Sequence, residues 1–100
     1  MKFDHVALSV THIHDSVTWY QDNLDAFVEY KDETWAMLNV NGLKIALTSG
    51  AHPPHLAFRL ENISDFPPGA EAKQHRDGSW YYYDKDLDDN TIEWITYPGL

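Results

Sequence analysis

The chain contains no cysteine. Disulfides, thiolate metal sites and a cysteine nucleophile are excluded together. Basic residues are scarce: seven Lys and Arg stand against sixteen Asp and Glu, for a formal net charge of −9 at pH 7. So acidic a chain is repelled by nucleic-acid phosphates and by anionic lipid, and neither is expected as a partner. No apolar run approaches the ~20 residues of a membrane span. The start has no basic stretch followed by an apolar one, so no secretory leader is expected and the reading is cytoplasmic. What is present is a 100-residue chain, 43% hydrophobic and 14% aromatic, enough to pack the core of one domain.

"FDHVALSV" (3–10) alternates. Phe3, His5, Ala7 and Ser9 share one face; Asp4, Val6, Leu8 and Val10 share the other, which suits a strand packed on a helix. The histidine on the first face is either a core or rim residue or a metal ligand, and one histidine does not decide. "THIHDSVTWYQDNL" (11–24) predicts a helix capped by Asp15 or Ser16, with Val17, Tyr20, Leu24 and Phe27 as its stripe, ending near Asp25. "AFVEYKD" and "TWAMLNV" predict strands around a turn at 31–33; "NG" at 41–42 predicts a hairpin into "LKIALTS". "GAHPP" (50–54) breaks the chain. "HLAFRLENI" opens a strand, "DFPPGA" holds at most one helical turn, and "AEAKQHRD", "SWYYYDKD" and "TIEWITY" predict three more strands, with "DLDDN" (86–90) as a turn.

The halves repeat. With "DHVALSVTHIHD" (4–15) set over "PHLAFRLENISD" (54–65), His5 falls on His55, Ala7 on Ala57, Ile13 on Ile63 and Asp15 on Asp65. With "NVNGLKIAL" (39–47) set over "DLDDNTIEW" (86–94), Ile45 falls on Ile92 and Ala46 on Glu93. The second spacing is shorter because the second half has lost most of its helix. A duplicated unit with a pseudo-twofold axis brings equivalent positions together. Two imidazoles, His5 and His55, and one carboxylate, Glu93, make a 2-His-1-carboxylate set, which holds a divalent first-row ion and leaves positions open for substrate, water or oxygen.

At these residues the sequence resembles the vicinal oxygen chelate superfamily, the glyoxalase, bleomycin-resistance and extradiol dioxygenase group. "DHVALSV" with His5, "HLAF" with His55 and "YYYDKDLDDNTIEWITYP" with Glu93 carry the resemblance, and "SVTWYQDNLDAF" is similar to the group's first helix. The resemblance implies an α+β fold: paired βαβββ modules, 1–50 and 51–100, forming one curled mixed sheet around a cavity, the second module with its helix largely lost. It also implies one divalent ion (iron, manganese, nickel or zinc) on His5, His55 and Glu93.

Three departures qualify it. Ala46 stands where glyoxalase I enzymes usually carry a fourth, glutamate ligand. "DLDDN" lacks the usual proline and glycine, although Asp and Asn tolerate left-handed backbone. The missing helix bares one apolar sheet face, for which a homodimer is the expected cover.

The resulting expectation is a metal-dependent enzyme acting on a small oxygen-chelating substrate by lyase, isomerase or dioxygenase chemistry. Glu93 is then the candidate base as well as a ligand. Arg59 and Lys44 are candidates for an anionic substrate group, against the plainer reading of rim salt bridges. Trp35, Tyr81 and Tyr83 are candidates for an apolar wall, although the parity of "WYYY" is open. The alternative is a metal-free protein that sequesters a small molecule, as bleomycin-resistance proteins do. His12, His14 and His75 read as exposed, and His52 as a surface residue or, alternatively, one that supports the site or belongs to a lid.

Overall fold

The computed structural model describes residues 1–97; Pro98, which closes the third motif, and the end of the 51–100 module lie outside the described residues. The elements run β1 (Lys2–Ser9), α1 (Ile13–Leu24), β2 (Phe27–Lys31), β3 (Trp35–Val40), β4 (Leu43–Thr48), β5 (His55–Arg59), a 3₁₀ turn (Ile63–Asp65), β6 (Lys73–Gln74), β7 (Trp80–Lys85) and β8 (Thr91–Thr96). This α+β chain forms one eight-stranded mixed sheet in the order β2-β3-β4-β1-β5-β8-β7-β6. Among the described residues it divides into two compact units: His5–Pro54, and Met1–Asp4 together with the chain from His55 onward. No helix among the described residues is long and apolar enough to cross a membrane.

In the unit His5–Pro54, β4 runs parallel to β1 and antiparallel to β3, which pairs antiparallel with β2. The register sorts the side chains. Val6, Ile45, Leu38 and Val28 lie across one another, as do Leu8, Leu47 and Ala36. These residues pack against Ile13 and Val17 of α1. Ile13 and Val17 stand one turn apart on the helix, which puts both on the covered face. Leu38 and Leu47 are fully buried, each worth about 1.5–3 kcal/mol of transfer free energy.

The helix starts earlier than its polar residues suggest. His12 is the extended residue before it, and the His12 carbonyl accepts the Ser16 N–H at 3.0 Å. Asp15 therefore sits in the first turn, where the positive end of the helix dipole favours a carboxylate. At the other end Asp25 takes the left-handed conformation at φ 55° and stops the helix. Leu24 and Phe27 are exposed, not part of the buried stripe: the helical period ends at Leu24, and Phe27 belongs to an edge strand. The following turn falls at 32–34 because Asp32 Oδ1 accepts the N–H groups of Thr34 and Trp35 at 2.7 and 2.9 Å. Asn41 and Gly42, at φ 52° and 92°, make the turn that "NG" predicts.

In the second unit β5 runs parallel to β8, which pairs antiparallel with β7, and β7 with β6. The 3₁₀ turn begins at Ile63, the repeat partner of Ile13, and is closed by a reciprocal Asn62–Asp65 capping box. It stops after one turn because Phe66 is extended, the conformation a following proline imposes. Strand "AEAKQHRD" shrinks to Lys73–Gln74. The Asp77–Gly78 turn takes the rest: His75 N–H reaches the Ser79 carbonyl at 2.8 Å, and Gly78 N–H the His75 carbonyl at 3.0 Å.

Candidate metal centre

Register makes the two units comparable. Ala7 lies opposite Ala46 in one, and Ala57 lies opposite Glu93 in the other. Glu93 is thus the counterpart of Ala46, and each unit holds its histidine two residues before that alanine. Tyr83 is the other cross-strand partner of Glu93, on β7. Tyr81, two residues earlier, shares its face; Trp80 and Tyr82 take the opposite one. That settles the parity of the "WYYY" run.

Glu93 is 2% exposed. One carboxylate oxygen, Oε1, stands 3.4 Å from His55 Nε2. The other, Oε2, stands 3.2 Å from His75 Nε2. The His55 ring tilts against Tyr83 with centroids 5.2 Å apart. Burial first, then the Glu93 charge and Tyr81, push the Tyr83 hydroxyl above its usual range, so it keeps its proton at neutral pH. His5 follows Asp4, whose Oδ2 accepts the Tyr97 hydroxyl at 2.8 Å. His5 and His55 are buried as Glu93 is, and one ligand atom from each of the three lies within 4.8 Å of the others.

The donor set fits a divalent ion. Two imidazole nitrogens and a carboxylate oxygen are the facial-triad combination. Two ligands bonded to one ion at ~2.1 Å stand about 3–3.4 Å apart, from octahedral to tetrahedral angles, and the His55–Glu93 separation is 3.4 Å. A carboxylate this buried also requires compensation, because an uncompensated buried anion is costly.

The other candidates are distributed as follows. Lys44 lies opposite Asn39, on the face of β4 that carries Ala46, and pairs with Glu29 at 3.4 Å. It makes the rim salt bridge that was its plainer reading. Arg59 lies opposite Ile95, on the face of Ala57 and His55. Its guanidinium sits over the Tyr97 ring at 5.8 Å, with no acidic partner among the described residues. Trp35 lies opposite Thr48 and stacks on Tyr30 at 4.7 Å. Tyr81 stacks on His75 at 3.8 Å and 12°.

His75, expected to be exposed, is instead half-buried against Glu93. Its signal was available in the sequence. An Asp-Gly turn at 77–78 sets His75 opposite Ser79, and strand parity then places it on the face of Tyr81, Tyr83 and Glu93.

Comparison with known proteins defines the fold class. No family model matches the chain, and no curated protein matches it in sequence. Solved structures do. Methylmalonyl-CoA epimerase from Mycobacterium tuberculosis aligns at TM-score 0.76 and 18% identity, over 95% of this chain and 87% of that one. A glyoxalase/bleomycin resistance protein/dioxygenase superfamily member from Vibrio splendidus 12B01 aligns at 0.72 and 14%, over 96% and 100%. An extradiol ring-cleaving dioxygenase from B. fuscum aligns at 0.67 and 20%, over 96% of this chain and 32% of that one. The chain has the fold of the vicinal oxygen chelate superfamily, the group its motifs resemble.

Proposed function

We propose that this protein is a divalent-metal-dependent enzyme of the glyoxalase/dioxygenase type, acting on a small organic substrate through two neighbouring oxygens. The observation that carries the reading is the gathering of His5, His55 and Glu93 ligand atoms within 4.8 Å of one another. Those three residues would hold the ion. When bound, the ion supplies Lewis-acid stabilisation of negative charge developing on a substrate oxygen. An epimerase and a ring-cleaving dioxygenase that share this fold support lyase, isomerase or dioxygenase chemistry on a small molecule.

The remaining residues take roles by position. Glu93 is assigned proton transfer as well as ligation, because its counterpart Ala46 offers no second carboxylate. Tyr83, holding its proton beside His55, donates a hydrogen bond to a substrate oxygen. Arg59, free of acidic partners among the described residues, receives an anionic substrate group, and Lys44 does so only by leaving Glu29. Tyr81 and Trp35 supply apolar wall. The protein works in the cytoplasm as a homodimer. The copy-to-copy contact covers the β5–β8–β7 face that carries Leu56, Phe58, Ile92, Trp94 and Tyr82, which one 3₁₀ turn replaces a helix in covering.

The test is elemental analysis of tag-free protein beside His5→Ala, His55→Ala and Glu93→Gln. About one divalent ion per chain in the parent, lost in each variant, is the expected result. No metal in the parent, even after incubation with each candidate ion, overturns the enzyme reading and turns the search to a sequestered ligand.

A further inference from the structure

His75 lies outside the proposed ligand set, yet the chain spends several interactions on placing it. Its backbone is fixed on both sides of the Asp77–Gly78 turn, through Ser79 and Gly78. Gln74 Nε2 donates to the Gly78 carbonyl at 3.0 Å, and Asp77 Oδ1 accepts both the N–H and the hydroxyl of the fully buried Ser79, at 2.8 and 2.6 Å. Its ring is held nearly parallel to Tyr81, at 3.8 Å and 12°. The outcome is a single directed contact, Nε2 on Glu93 Oε2 at 3.2 Å.

We infer that His75 is a positioning residue that commits Glu93 to ligating through one oxygen. The inference rests on the metal reading. Oε1 is the oxygen that faces His55. The His75 Nε2–H occupies one lone pair of Oε2 and draws on its charge, which favours ligation through Oε1 over chelation by both oxygens. One fewer protein oxygen on the ion leaves one more position for a substrate that binds through two oxygens. Hydrogen-bonding partners of metal-ligating carboxylates typically govern about 10–100-fold in metal affinity. A histidine that merely stabilised the turn would have no such effect.

The experiment uses Co(II) alone as the probe, titrated into metal-free parent, His75→Phe and His75→Gln while visible absorption is recorded. Phenylalanine keeps an aromatic ring for Tyr81 and removes the donor; glutamine restores an N–H donor. Circular dichroism checks folding, and His75→Ala takes the place of His75→Phe should that variant fail to fold. The expected result is about 10–100-fold weaker Co(II) binding by His75→Phe, with changed d–d bands, and recovery in His75→Gln. A His75→Phe variant with parental affinity and spectrum overturns the inference and leaves the metal reading standing. A parent that binds no Co(II) overturns both.

Discussion

Glu93→Gln separates the metal from the fold. The side chain is 2% exposed and faces two imidazoles, so the substitution exchanges a buried anion for an amide of the same shape. In the metal-free protein the substitution trades the cost of burying an anion against its attraction to the imidazoles, so each protein's own metal-free melting temperature is the baseline. With metal the two proteins diverge. An ion present at 100 times its dissociation constant stabilises the folded state by about 2.7 kcal/mol. For a chain of 100 residues, 1 kcal/mol moves the melting temperature by about 4–8 °C. The parent is therefore expected to gain about 10–20 °C, and Glu93→Gln to lose most of that gain. Melting curves in chelator, then with Mn, Fe(II), Co, Ni or Zn, make the measurement. A parent indifferent to every ion, or a variant that gains as much as the parent, contradicts a metal held by Glu93.

Other consequences follow from the same structure. The Tyr30 hydroxyl first, and then the Thr34 and Trp35 N–H groups, hold the Asp32 carboxyl well below the usual range. Its contribution is complete above the unfolded value of ~3.9 and is lost as pH falls below that toward the folded value. Urea midpoints of Asp32→Asn should therefore fall less steeply between about pH 4 and 2 than those of the parent; equal slopes contradict the assignment. Burial first, and then the charges of Glu93 and Asp4 respectively, raise the Tyr83 and Tyr97 hydroxyls. Tyr83→Phe and Tyr97→Phe should each remove amplitude from the most alkaline part of the phenolate absorbance titration, and loss from its early part contradicts the burial argument. Light scattering should give twice the chain mass for the parent, and Phe58→Lys with Leu56→Asp should give the chain mass; a monomeric parent refutes the dimer.

What the sequence made legible was whatever depends on period and repetition. Alternation placed His5 opposite to the helix-packed Val6 and Leu8. The match of the halves paired Ala46 with Glu93, and the strand registers give the same correspondence. Asn41 and Gly42 announced their turn because positive φ restricts which residues can stand there. What stayed hidden depended on competition between local signals. Asp15 and Ser16 look like caps, but the buried position of Ile13 draws the helix start back to His12. Leu24 and Phe27 continue the helical period on paper, yet the left-handed Asp25 ends it. His75 is hidden because "AEAKQHRD" suggests strand through Asp77, whereas the Asp77–Gly78 turn sets which face His75 takes.

The metal reading requires that His5, His55 and Glu93 of one chain share a divalent ion. Anomalous diffraction from crystals of protein loaded with a single metal, recorded on either side of that metal's absorption edge, tests it most directly. The expected result is one anomalous peak per chain, bonded to a ring nitrogen of each of His5 and His55 and to Oε1 of Glu93, with His75 on the far carboxylate oxygen. A fully loaded crystal whose peak lies elsewhere, or whose three side chains hold no peak, contradicts it.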